Sequence, residues 1–196
     1  MFFFEDIKQI FLQMNEKNSQ VFMFYIIIAT LPAIFVGLLL KDYFLKIFDN
    51  VHLVGLALCS TGFLLIFSKR FKNNQKAITF SSSILVGIAQ AIAIIPGISR
   101  SGSTISMCMY LGIPPKEAAR FSFLMSIPVI LGASILGFLE LESNNTFNYM
   151  TLTVAITTSF LTGVLALKIL LKILETGKFY FFGFYCLIAG VSTTFI

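Results

Sequence analysis

The chain has 196 residues, 57% of them apolar, with 14 Lys and Arg against 9 Asp and Glu and a net charge of +5. A mean hydropathy of +0.91, with the charges gathered into short segments between long uncharged runs, excludes a soluble globular domain, a nucleic-acid-binding module and a disordered chain. What remains is an all-α polytopic membrane protein, read as a single integral membrane domain over residues 1–196, with the bilayer as partner and no nucleic acid, because the basic residues flank apolar runs.

In chain order, residues 1–19 are predicted to form an interfacial helix. Phe3, Ile7, Ile10, Phe11 and Met14 recur at helical spacing, and Glu5, Asp6, Lys8, Gln9 and Gln13 lie largely opposite. With no basic leader and no small-residue cleavage site, the segment does not read as a signal peptide. The runs 20–40, 51–68, 121–139, 150–171 and 179–196 come close to the roughly 20 residues that a crossing helix needs, giving about five transmembrane helices. Lys69, Arg70, Lys72 and Lys76 mark one connection as cytoplasmic, whereas Glu140 and Glu142 mark another as external. His52, the one histidine, sits at the start of a run and reads as interfacial. Cys59, Cys108 and Cys186 are far apart inside apolar runs, so they suggest neither a disulfide framework nor a metal site.

These assignments place both ends of the stretch between Lys76 and Lys116 in the cytoplasm, so it crosses an even number of times or not at all. The simplest solution is a re-entrant hairpin over 78–114: a helix over 82–95 descends, Pro96-Gly97 breaks it, and a second helix returns from about Ser103. Arg100, whose nearest charged neighbours in sequence are Lys76 and Lys116, then lies at the tip inside the membrane. An ionised side chain at that depth is costly and marks a functional site by default.

The tip reads Pro96-Gly97-Ile98-Ser99-Arg100-Ser101-Gly102-Ser103-Thr104. A guanidinium offers a fork of donors matched to phosphate oxygens, Gly97 and Gly102 let backbone amides come close, and a helix N-terminus after Gly102 favours an anion. The same residues also admit a structural reading, with Ser and Thr capping a helix while Arg100 bonds a backbone carbonyl or snorkels to the interface. Gln90 could reach the same cavity or simply pack between helices.

This stretch resembles the PGxSRSGxT signature of the undecaprenyl-diphosphate phosphatase family, the bacterial bacitracin-resistance membrane proteins, and matches it at Pro96, Gly97, Ser99, Arg100, Ser101, Gly102 and Thr104. Gly87-Ile88-Ala89-Gln90 and the stretch 117–133 resemble what flanks that signature, and 30–40 and 166–174 add weaker matches, so the resemblance covers nearly the whole chain. It implies hydrolysis of undecaprenyl diphosphate to undecaprenyl phosphate and inorganic phosphate, which recycles a cell-wall carrier lipid in the bacterial inner membrane and confers bacitracin resistance. The site is expected to be accessible from the outer face. Arg100, Ser99 and Ser101 are the expected catalytic residues, and Gly97, Gly102, Ser103, Thr104 and Gln90 the expected phosphate-binding ones.

The resemblance has gaps. The family's ExxxE motif and Ser-Ser-Thr-Gly-His segment, which belong to an additional membrane region repeating the hairpin in inverted form, have no counterpart here, and the chain is expected to begin well inside the family pattern. Cys186 stands after Tyr185 where members usually carry Arg. A divalent cation such as Mg or Ca enters only through the resemblance, with no metal ligands identified in this sequence. The implied partners are a polyprenyl diphosphate lipid and, as a homo-oligomer, further copies of the chain. Two other readings stay open: a protein that binds or translocates polyprenyl phosphates, since a hairpin ending at mid-membrane is also a transporter device, and an inactive remnant.

Overall fold

A computed structural model describes residues 17–40, 43, 47, 50–70, 75–139 and 149–194. Most of the interfacial helix expected over 1–19 lies outside these residues. Among the described residues the chain forms seven α-helices and no strand: α1 Lys17–Leu39, α2 Val51–Phe67, α3 Phe80–Ile92, α4 Arg100–Tyr110, α5 Pro115–Leu139, α6 Tyr149–Glu175 and α7 Phe181–Thr194. A short 3-10 turn, Ser68–Arg70, extends α2. The all-helical polytopic reading holds. Three helices, Ser19–Leu39, Pro115–Leu139 and Tyr149–Glu175, are long and apolar enough to cross a membrane, while α2 and α7 are shorter apolar helices.

Glycine brings two pairs of helices together. Along α2, Gly55 and Gly62 lie two turns apart on one face, and Gly183 and Gly190 do the same on α7. A methyl on Gly62 would stand 2.8 Å from the Gly183 carbonyl oxygen, and one on Gly190 would stand 2.7 Å from the Gly55 oxygen, so the antiparallel helices touch backbone to backbone. His52 is exposed at the start of α2 and turns toward the end of α7, its Nδ1 3.2 Å from the Thr194 carbonyl oxygen. The second pair is parallel: Phe24 stacks on Phe80, a methyl on Gly87 would collide with the Ala29 carbonyl, and Gly37 lies beside Ile94. Contacts that climb α1 and α3 together in this way mean that both helices run in the same direction.

The predicted hairpin exists as α3, a turn over 93–99 and α4, with boundaries that differ from the expected ones. The first helix starts at Phe80 rather than 82 because Thr79 and Ser82 form a reciprocal capping box, and it ends at Ile92 rather than 95. Pro96 has no N–H to continue the ladder, and the chain turns instead through i to i−3 bonds such as Ile95 N–H to the Ile92 oxygen at 3.1 Å. The returning helix begins at Arg100, three residues earlier than expected, because Ser99 caps it. At the opposite end the two arms meet, with Lys76 N–H bonded to the Gly112 oxygen at 3.1 Å. Lys76 also lines a cavity with Phe22 of α1 and with Glu117 and Arg120 of α5, so the starts of α1, α3 and α5 share one end of the molecule. The Arg120 guanidinium sits 5.2 Å over the Phe22 ring and 3.6 Å from Glu117.

The core lies where the hairpin meets α1 and the first half of α5. Val86, Ile105, Cys108, Phe121 and Met125 are fully buried there, with Ala29, Ala118 and Ala119 letting the helices approach. The three cysteines are free thiols, two of them buried.

Candidate functional site

The turn 93–99 rests on α2. Gly97 has φ +92, a left-handed conformation that an L side chain rarely adopts, and a methyl there would strike the Val54 carbonyl oxygen and come within 2.9 Å of the Ala57 Cβ. Glycine is therefore required by close approach and by backbone conformation alike. Thr61, on the same stripe of α2 as Val54 and Ala57, is buried beneath the turn. Its Oγ1 lies 3.2 Å from both the Ala57 and the Gly97 carbonyl oxygens, either of which can take its single proton, and it accepts the Ser99 N–H at 3.1 Å.

Ser99 is the N-cap of α4. Its Oγ accepts the Gly102 N–H at 3.1 Å, and its carbonyl accepts the Ser103 N–H at 2.9 Å. The helix dipole is therefore presented at Arg100, not after Gly102 as the sequence suggests, and the amides with no intrahelical acceptor are those of Arg100 and Ser101. The Gly102 amide is already engaged. Thr104 is fully buried: its hydroxyl lies 2.9 Å from the Arg100 carbonyl oxygen and 2.6 Å from Ser122 Oγ of α5. That contact joins the returning helix to the core.

Of the expected site residues, the structure thus brings Gly97, Ser99, Arg100 and Ser101 together at the turn, uses Gly102 for the cap and Thr104 for packing, and buries Ser103 on the first turns of α4. Gln90 is buried within α3. Arg100 Nη1, both amide atoms of Gln90 and Ser106 Oγ are buried without a hydrogen-bond partner among the described residues. Native proteins pair nearly all such groups, and each one left unpaired costs about 1–3 kcal/mol; of these residues Arg100 stands at the turn itself, while Gln90 lies within α3 and Ser106 within α4. Arg100 is half-buried, with a fork of donors and no acceptor of its own. Ser106 and Thr61 escaped the sequence reading. Ser106 follows Ser103 at i+3, on the same face of α4, a legible signal; Thr61 looks like any threonine in an apolar helix.

Among the described residues no group of His, Cys, Asp and Glu could hold a metal ion. Glu117 is at the opposite end of the hairpin, and His52 is turned to α7. The described residues at the turn, a cation with hydroxyl and amide groups, do not fit the divalent cation that the resemblance implies, because they offer it no carboxylate or imidazole. Cys186, where an Arg was expected, is buried on α7.

Comparison with known proteins bears on this arrangement. The family of bacitracin resistance protein BacA matches over residues 1–192. Undecaprenyl-diphosphatase of Halothermothrix orenii is 38% identical over 194 residues, covering 96% of this chain and 74% of that protein. Undecaprenyl-diphosphatase 1 of Bacillus cereus is 38% identical over 183 residues, covering 91% of this chain and 68% of its own length. Undecaprenyl-diphosphatase of Korarchaeum cryptofilum is 39% identical over 168 residues, covering 86% and 63% respectively.

Proposed function

The chain belongs to the bacitracin resistance protein BacA family, and on that footing we propose that it is an undecaprenyl-diphosphate phosphatase, a membrane hydrolase that recycles a cell-wall carrier lipid and so confers bacitracin resistance. The observation that carries the reading is Arg100: a guanidinium at the start of a helix, with Nη1 buried and unpaired beside a turn that glycine and threonine hold against α2.

In the reaction an oxygen nucleophile attacks the terminal phosphorus, the bond from that phosphorus to the bridging oxygen breaks, and undecaprenyl phosphate leaves with the electron pair. The oxygen of water ends on the released phosphate. Charge builds on the phosphoryl and bridging oxygens, so catalysis rests on positive charge and oriented donors. Arg100 supplies a bidentate clamp, the Arg100 and Ser101 amides add the field of the helix N-terminus, and the Gln90 amide and Ser101 hydroxyl bond further phosphate oxygens. Ser99 keeps its own proton to donate while its oxygen holds the cap. The described residues at the turn include no group able to act as base, and no proton transfer is assigned to any of them.

Release of inorganic phosphate from undecaprenyl diphosphate by the purified chain in detergent tests the reading; a protein that only binds or translocates the lipid releases none. Arg100→Ala should lower kcat by about 10²–10³-fold, the usual cost of one preorganised donor to a developing oxyanion, while insertion is unchanged. Undiminished turnover in that variant removes Arg100 from the site.

The site is proposed to open on the outer face of the bacterial inner membrane. The start of α3 lies beside basic residues that mark the cytoplasmic side, and the 13 residues of α3 carry the turn roughly 20 Å away from them. Lys76→Cys should then react with a membrane-impermeant maleimide only from the inside and Tyr149→Cys only from the outside. The reverse pattern inverts the topology.

A further inference from the structure

Irregular backbone within a bilayer persists only where protein side chains satisfy it, and at the turn 93–99 one side chain from another helix does so. Thr61 Oγ1 accepts the Ser99 N–H at 3.1 Å and lies 3.2 Å from the Gly97 carbonyl oxygen, bracketing the peptide units on either side of Ile98. It is 2% exposed, and its neighbours on the same stripe, Val54 and Ala57, form the floor on which Gly97 sits. Ser99 is at once the residue whose backbone Thr61 holds and the cap that starts α4, so its placement sets where α4 begins and in which direction Arg100, the first residue of α4, is aimed.

We propose that Thr61 is a positioning residue: its hydroxyl, bonded to the Gly97 and Ser99 backbone, aims Arg100 and the α4 amides at the phosphate that is to be transferred. The proposal rests on the phosphatase reading of the turn. Thr61 itself touches no substrate and contributes through geometry alone, the regime in which a displacement near 1 Å costs about 100-fold in rate. Its contribution is made by a hydroxyl, so valine, equal in shape but unable to bond, removes it, and serine restores it.

The full chain in detergent is compared as wild type, Thr61→Val and Thr61→Ser, reading phosphate release from undecaprenyl diphosphate and hydrogen exchange of the Ser99 amide. Thr61→Val should lower kcat by roughly 10- to 100-fold with KM within about twofold, and should speed exchange at Ser99 by at least about tenfold; Thr61→Ser should stay within about threefold of wild type in both. Wild-type turnover and exchange in Thr61→Val overturn the proposal, as does a Thr61→Ser variant no better than valine. Should Thr61→Val fail to fold, serine decides the matter, because a position that needs only shape will not be rescued by the smaller hydroxyl residue. If the wild type releases no phosphate, the phosphatase reading has failed. Ser99 exchange in the three proteins then decides separately whether Thr61 holds the turn.

Discussion

The α2–α7 pair with the turn it supports, and the far half of α5 with α6, are made of the same kinds of residue and are used in opposite ways. On α2 and α7, Gly55, Gly62, Gly183 and Gly190 are places where a methyl would meet a facing backbone or side chain at 2.9 Å or less. On α5 and α6, Gly132, Gly137 and Gly163 have nothing within 4 Å, and residues 130–139 and 149–163 are exposed throughout. Both regions are apolar. In lipid, burying an apolar face gains little, because the solvent is equally apolar, so close packing has to come from small residues that let backbones touch and from hydrogen bonds between helices. The first region has both and carries the turn; the second has helices long enough to span and presents them to their surroundings.

Three substitutions would break or sharpen this contrast. The largest effect is expected for Gly97→Ala, which forces an L side chain into a left-handed conformation and drives its methyl into the Val54 carbonyl. About 3 kcal/mol or more of stability should be lost, seen as a lower melting temperature in detergent, together with turnover. Gly183→Ala should cost about 1–3 kcal/mol, because its methyl would meet the Gly62 oxygen at 2.6 Å and the Ile66 nitrogen at 3.0 Å, neither of which is a flexible chain end. A melting temperature unchanged in that variant would mean that α2 and α7 do not touch through glycine. Gly163→Ala should be neutral or stabilise by up to about 1 kcal/mol, since nothing lies within 4 Å and alanine favours the helix. Marked destabilisation there would show that α6 is covered in the membrane.

Much of the fold was legible before any coordinate. Arg100 stood out because charge inside a long uncharged run is expensive, and the hairpin followed from the loop charges together with Pro96 and Gly97, each a direct consequence of what a bilayer tolerates. The Ser99 cap was legible in kind but misplaced by three residues. Hydroxyls at Ser99, Ser101 and Ser103 all qualify as caps, and the structure uses the first, whose own N–H is bonded to Thr61. The directions of the expected phosphate-binding side chains were not legible for a related reason. The run from Ser99 to Thr104 looks like a continuous donor cradle, yet once wound into α4 its side chains point in different directions, and Thr104 goes to Ser122 in the core.

The sequence by itself determined that this is an all-helical membrane protein of the bacitracin resistance family with a cation at a hairpin turn, because hydropathy, charge placement and a local signature are written along one dimension. Only the tertiary structure decided that Thr61 supports that turn, that α4 starts at Arg100, and that the glycines of α2 and α7 meet while those of α5 and α6 stand open. Those facts depend on which faces of distant helices come within bonding distance, and a helical repeat in one segment does not specify the face it will meet in another.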